Sequence, residues 1–487
     1  MAAKPPQLAP DLDPKDWPSL RAQAHRMLDD ILDFTERVEE GPVWRSAPAS
    51  VRETMSEALP RHRTPLSDVH EAFRRNVLPY GVGNTHPRFF GWVHGGGNVV
   101  GMLGEMLAAG LNANLGGRDH MPVEVERQVS RWMAELFGFP AGASGLFVTG
   151  ASMANLIAVL IARTEALGAD ARRTGLGEAG GKLRAYTSTL AHGCLPKAMD
   201  MAGLGSDALR LIAVDAEGRM EDAALRQAIA EDKAAGLTPF LLVGTAGTVD
   251  TGAIDPLPIL ADIAAKEGLW LHIDGALGAL GMLSPDLAPL FDGIERAQSI
   301  AFDFHKWGQA PYDAGFVLVR DGERHQAAFA STTAYLRREA EGLAAGAPWP
   351  CDFGPDLSRG FRALKVWLAF KAYGADAMGA AILNTTRLAT YLAARVDEEP
   401  ELERLAPVAL NIVCFRYRAD KDADAMNDRI VTALQAGGVA APSATTVGGY
   451  RAIRAAIVNH RTQADDIDLL LAETLRLGRA FTQGHAA

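Results

Sequence analysis

The chain has 487 residues, 48% hydrophobic and 22% charged, a globular composition that excludes wholesale disorder and allows two or three domains. Its 48 lysines and arginines against 59 aspartates and glutamates leave a net charge of −11, which argues against nonspecific binding to nucleic acid or an anionic membrane. Three scattered cysteines, Cys194, Cys351 and Cys414, form no disulfide or metal pattern, and no secretory h-region or membrane span is visible, so a soluble cytoplasmic protein is expected.

Residues 1–18 are rich in Pro and Asp and read as irregular. Leu20, His25, Met27, Leu28, Ile31, Leu32 and Phe34 then fall on one broad helical face, and a short helix is predicted over 49–58. From about 86 to 375, short apolar runs alternate with helical stretches. Strands are predicted at 146–148, 184–187, 209–214, 240–243, 269–273, 299–302 and 316–319, and helices at 123–137, 151–166, 220–235, 256–267 and 361–373. This alternation predicts a mostly parallel sheet covered by helices on both faces. Beyond Tyr373-Gly374 a helix (377–397), a strand (412–416), a helix (422–436), a strand (450–458) and a last helix (463–479) read as a small α+β domain. The expected division is a helical segment over 1–85, a large α/β domain over 86–375 and a small domain over 376–487.

Four segments carry candidate chemistry. Ser299-Ile-Ala-Phe-Asp-Phe-His-Lys-Trp places Lys306 just past an apolar strand. Partial desolvation disfavours its ammonium form and makes the amine a nucleophile, whereas an isolated Lys is ordinarily a solvated loop residue. Leu269-Trp-Leu-His-Ile-Asp ends another strand on Asp274. A carboxylate there either holds a protonated ring nitrogen or caps the next turn. Leu146-Phe-Val-Thr-Gly-Ala-Ser leads a strand into a helix at Ala151 and Ser152. The free N–H groups of that helix start suit a phosphate, with Ser152 as a plain N-cap the alternative. His192, in Thr189-Leu-Ala-His-Gly-Cys, follows a third strand and either stacks on a flat ring or is a hydrogen-bonded loop residue. Together they fit pyridoxal phosphate, whose protonated ring acts as an electron sink for a carbanion at the substrate Cα.

The chain resembles the group II pyridoxal-phosphate-dependent amino-acid decarboxylases, the aromatic-amino-acid, glutamate, histidine and 2,4-diaminobutyrate enzymes, from about Pro42 to Thr462. The marks are His305-Lys306-Trp307, His272-Ile-Asp274, Asp313-Ala-Gly315, His86-Pro-Arg-Phe-Phe-Gly91, Glu126-Arg-Gln-Val-Ser-Arg-Trp132 and the N-terminal Pro42-Val-Trp44. The resemblance implies a fold-type-I transferase-like architecture and a homodimer with sites at its interface. Lys306 resembles the Lys that carries the cofactor as an imine, Asp274 the partner of the ring nitrogen, and His192 the His stacked on the ring near the departing carboxylate. Ala151 and Ser152 resemble phosphate binders, helped by His305, and Thr248 the Thr beside the ring. Asp303 stands where some members have Asn, and a carboxylate near a phosphate repels it unless protonated or turned away. Tyr335 resembles the loop Tyr that returns a proton to Cα; a Tyr packing an apolar patch is the alternative.

Asn112 and Asn114 stand near where apolar partner-subunit residues wall the ring in aromatic decarboxylases. Buried amides need polar partners, so a polar or charged substrate is plausible beside an aromatic one. Arg359 matches a family Arg near the site, or forms a salt bridge to a buried carboxylate. The expected reaction is decarboxylation of an L-amino acid to its amine and carbon dioxide. An aldehyde synthase, a carbon–carbon lyase and an aminotransferase are rivals on the same fold, and a non-catalytic partner subunit is the rival of another class.

Overall fold

The computed structural model describes residues 12–331 and 337–484. Its strands are β1 (Phe89–Phe90), β2 (Ser144–Val148), β3 (Leu183–Ser188), β4 (Leu209–Ile212), β5 (Thr238–Thr245), β6 (Trp270–Asp274), β7 (Ser299–Asp303), β8 (Gly315–Val319), β9 (Leu402–Arg404), β10 (Ile412–Tyr417), β11 (Ala441–Val447) and β12 (Tyr450–Ala456). Seven of them form a sheet in the order β2-β8-β7-β6-β5-β3-β4. From β7 through β4 the neighbours are parallel, and β8 runs antiparallel to both β7 and β2. Strand β2 therefore points the same way as β7.

Strands β6, β7 and β8 are buried along their whole length, as a sheet covered on both faces requires. Alternate side chains go to opposite cores. Phe147, Phe302 and Phe316 join one cluster with Met133 and Phe137, while Leu146, Val148, Ala301 and Val317 pack on the other side against Ile157 and Ile161. The helix Ala151–Leu167 is apolar nearly all round because it runs beneath the second face.

The smaller sheet has the order β1-β11-β12-β10-β9. Helices Ala375–Glu398, Ala423–Ala436 and Ala464–Thr482 cover it through Leu392, Ile430 and Leu470. Strand β1 pairs in parallel with β11, Phe89 opposite Ala441. The residues just after His86-Pro87, read as the opening of the large domain, thus complete the small sheet. A two-residue strand leaves no period to read. The helices Leu66–Asn76, Val99–Leu111, Cys194–Met201 and Gly322–Phe329 were also not predicted. In the second of these, glycine serves close packing, since a Cβ on Gly104 would lie 2.8 Å from the Cα of Lys365. Among the described residues no helix is long and apolar enough to cross a membrane.

Candidate active site

The carboxyl ends of β2, β3, β5, β6 and β7 open on one cavity of about 410 Å3, the expected place for a ligand in such a sheet. Lys306 lies three residues past β7. Its Nζ is 2.8 Å from Asp303 Oδ2. The other oxygen of Asp303 accepts the Ala151 N–H at 2.7 Å. His305 accepts the Ala314 N–H on Nδ1 at 2.9 Å, and its Nε2 stands 3.7 Å from Asp303 Oδ1. Burial pushes the His305 imidazole below its ordinary value, with Asp303 pulling the other way.

Asp303 therefore sits inside the phosphate cradle read from the sequence, and the Ala151 N–H expected to meet a phosphate is engaged by this carboxylate. Ser152, in the first turn of the same helix, is exposed and lines the cavity. His192 lines it from the loop after β3, its Nδ1 accepting the Cys194 N–H at 3.1 Å.

Asp274 ends β6. Its Oδ1 accepts the Ala276 N–H at 3.1 Å and its Oδ2 accepts from Asn155 Nδ2 at 3.0 Å. Burial raises its carboxyl above the ordinary range, opposed by the Ala276 N–H and then by the charge of Lys306. Among the described residues Asp274 makes no salt bridge.

Thr248 is placed differently from the sequence reading. Its hydroxyl accepts the Ala253 N–H at 3.0 Å and meets Thr251 Oγ1 at 3.1 Å, so it closes its own turn and does not line the cavity. Thr245, the last residue of β5, lines it instead, and its buried Oγ1 has no partner among the described residues.

The residues read as substrate contacts do not line this subunit's own cavity. Asn112 ends the helix Val99–Leu111 with a left-handed φ of 50°, a conformation Asn tolerates. Asn114 Oδ1 accepts the N–H groups of Gly116 and Arg359 at 2.9 and 3.0 Å. Arg359 is 4% exposed. It grips Glu126 at 2.5 and 3.1 Å and donates to the Leu115 and Phe147 carbonyls at 3.0 and 2.8 Å. Of the two sequence alternatives for Arg359, the buried salt bridge is the one present. None of the three lines this chain's cavity. Tyr335 lies outside the described residues.

Trp92, His94 and Tyr312, not anticipated, form an aromatic wall. The His94 ring is stacked 5.7 Å from Phe89 and 5.8 Å from Trp92, with Tyr312 edge-on at 6.0 Å. Burial and then Lys306 lower the His94 pKa, and burial pushes the Tyr312 phenol up to about 12. Asn155 was also missed. Its signal was an amide near the start of the otherwise apolar run 153–162.

These residues fit a phosphorylated pyridine. A buried carboxylate without an ion-pair partner suits a protonated ring nitrogen, and Thr245, whose buried Oγ1 has no partner among the described residues, is among the residues that line the same cavity. Lys306 would carry the cofactor, Asp274 would hold its ring nitrogen, and Ser152 with the helix start would meet its phosphate. The comparisons agree. The chain is 31% identical to an aromatic-L-amino-acid decarboxylase of Bacillus atrophaeus, with 92% of this chain and 93% of that protein covered. It is 32% identical to an L-2,4-diaminobutyrate decarboxylase of Rhizobium meliloti, over 88% of this chain and 86% of the relative. The solved structure of Catharanthus roseus tryptophan decarboxylase with L-tryptophan matches at a TM-score of 0.86 and 26% identity, covering 96% of this chain and 99% of that one. Residues 48–418 match the pyridoxal-dependent decarboxylase conserved domain, and with Lys306 and Asp274 facing one cavity the chain belongs to the pyridoxal-phosphate-dependent decarboxylases, a family of carboxy-lyases.

Proposed function

We propose that the protein removes the carboxylate of an aromatic L-amino acid, releasing the amine and carbon dioxide. The observation that carries this reading is Lys306 and the buried Asp274 on one cavity whose outer wall is Trp92, His94 and Tyr312. Aromatic rings favour offset or edge contacts with one another, so this wall suits an aromatic side chain. Asn112 and Asn114, on which the expectation of a polar substrate rests, are exposed in one subunit and do not line its own cavity, so a polar substrate stays the alternative that the assay below distinguishes.

Pyridoxal phosphate, when bound, supplies a protonated ring that takes up the electrons of the breaking Cα–carboxylate bond. The chain's own residues do the rest. Lys306 Nζ would anchor the cofactor until the substrate amine takes its place. Asp274 would accept the ring N–H and keep its positive charge in a buried site, where that charge interacts strongly. The Thr245 hydroxyl offers a hydrogen bond on the same side of the cavity as β5. His192 lines the face over the loop after β3 and orients the carboxylate that leaves. Tyr335 returns the proton to Cα, a role that rests on the family resemblance alone.

The chain acts as a homodimer. Met106, Leu107, Leu111 and Met121 are each more than half exposed in one subunit, an apolar surface of the kind that marks an interface. A cytoplasmic setting accords with three free cysteines.

The test is mass-spectrometric detection of product from the cofactor-loaded protein with aromatic, acidic and basic L-amino acids. Amine from an aromatic substrate, abolished by Lys306→Ala, is the expected result. Amine only from a diamino or acidic substrate would overturn the aromatic assignment. Aldehyde in place of amine would overturn the reaction.

A further inference from the structure

Behind Asp274 runs a line of buried polar groups that the chemistry above does not use. Trp270, His272 and Asp274 lie on β6, Ser299 on β7 and Asn155 on the helix Ala151–Leu167; none is more than 6% exposed. Trp270 Nε1 donates to Ser299 Oγ at 2.8 Å. Ser299 Oγ lies 2.9 Å from His272 Nδ1. His272 Nε2 lies 2.7 Å from Asn155 Oδ1. Asn155 Nδ2 lies 3.0 Å from Asp274 Oδ2 and 3.2 Å from Cys194 Sγ.

Chemistry sets the direction of each link. An ionised carboxylate only accepts, so Asn155 turns its N–H groups to Asp274 and Cys194 and its carbonyl to His272. That carbonyl needs a donor, so the His272 proton is on Nε2. Burial lowers His272 to about 3, so the ring is neutral and Nδ1 has only a lone pair. The Ser299 hydroxyl donates to that lone pair and accepts from Trp270. The chain of donors runs one way, Trp270 to Ser299 to His272 to Asn155 to Asp274. The opposite direction would aim an Nδ1–H at the Ser299 carbonyl, 3.2 Å away, turn Asn155 over and require a proton on Asp274.

We propose that Ser299, His272 and Asn155 are positioning residues, a one-way donor relay that holds Asp274 ionised and acceptor-only toward the cofactor's ring nitrogen. The inference rests on the reading of Asp274 above and says what keeps that carboxylate ready. Relay and carboxylate come from three different elements, so their packing, rather than a loop, fixes the geometry.

The test compares full-length variants for two properties besides turnover: the dissociation constant of pyridoxal phosphate, and the pH dependence of the bound cofactor's visible absorbance. Circular dichroism of the cofactor-free proteins checks folding. Ser299→Ala leaves only the carbonyl at Nδ1 and draws the His272 proton away from Asn155. His272→Phe and Asn155→Leu break the relay outright. His272→Gln keeps an N–H near the position of Nε2 and cannot ionise. Ser299→Ala and His272→Phe are expected to weaken cofactor binding about tenfold, the scale of one hydrogen bond to a charged group, and to shift the absorbance titration. His272→Gln returns both close to wild type. Folded Ser299→Ala and Asn155→Leu proteins that bind and titrate like wild type, while Asp274→Ala does not, would overturn the relay. His272→Gln behaving like His272→Phe would overturn it too. Asp274→Ala with unchanged affinity and spectrum would instead overturn the reading of Asp274 itself. Should His272→Phe not fold, Ser299→Ala against wild type decides the matter by the same criteria.

Discussion

Thr245 and Thr248 are three residues apart in a Gly-Thr-Ala-Gly-Thr segment, and nothing local distinguishes them. The fold does: Thr248 spends its hydroxyl on its own turn, and Thr245 is left with a buried Oγ1 beside the cavity. An unpartnered buried hydroxyl destabilises a protein unless something else uses it. Thr245→Val, an isosteric change, is therefore expected to leave the cofactor-free protein about 1 kcal/mol more stable toward denaturant while weakening cofactor binding about tenfold. Equilibrium unfolding beside a cofactor titration reads both, and loss of stability without loss of affinity would contradict the assignment. His94 is a second such residue. Among the described residues neither of its ring nitrogens has a hydrogen-bond partner, and its lowered pKa keeps the ring neutral at pH 7. His94→Phe keeps the stack but loses the polar edge. It is expected to raise KM about tenfold for a ring-hydroxylated substrate and to change little for its unsubstituted analogue.

Arg359 joins elements. Its guanidinium ties the loop before Gly360 to the helix Met121–Leu136 through Glu126, to the Leu115 carbonyl, and to β2 through the Phe147 carbonyl, while Glu126 also accepts the Phe147 N–H at 3.1 Å. Removing one partner of a buried ion pair strands the other charge, so Arg359→Met should cost about 3–5 kcal/mol in unfolding free energy. Lysine cannot reproduce the fork of donors and should rescue only in part. The loss is expected to show in chemical denaturation, with KM unchanged at temperatures where the variant stays folded. The strands that carry this core were legible because their apolar runs and following glycines are local signals. Short β1, and the helix Val99–Leu111 with its glycines, were not legible, because each is stabilised by contacts with distant chain rather than by its own pattern.

Acid stability is a property of the whole molecule. His272 and His325 are fully buried, and burial lowers each to about 3 from an ordinary 6.5. The unfolded chain binds these protons at higher pH than the native one, so their contribution is complete above pH 6.5 and is lost as pH falls toward 3. Each buried His contributes a slope of up to about 1.4 kcal/mol per pH unit in that window. His325, which meets Ser144 Oγ at 2.8 Å, lies off the cavity. His325→Leu should flatten the measured dependence by one proton's worth, and an unchanged slope would show that the native ring is protonated. Assembly acts at the same scale. Light scattering should give twice the 51.9 kDa of one chain. Leu107→Glu with Leu111→Glu, both at positions more than half exposed in one subunit, should reduce it to a single chain; a dimer that persists would place the interface elsewhere.

The sequence by itself determined the α/β architecture and pointed to Lys306 and Asp274, which the structure brings to one cavity. Strand and helix periods are local, and Lys306, Asp274, His192 and Ser152 each stand at the end of a readable strand, where the fold class puts a ligand. It also narrowed Arg359 to two roles. Tertiary structure decided between those roles, chose Thr245 over Thr248, engaged Asn114 with backbone outside the cavity, and brought Asn155 to His272 across 117 positions of chain. A hydrogen-bond partner is selected by how elements pack. Packing joins residues far apart in sequence, and that information is carried by the assembled core rather than by any one segment.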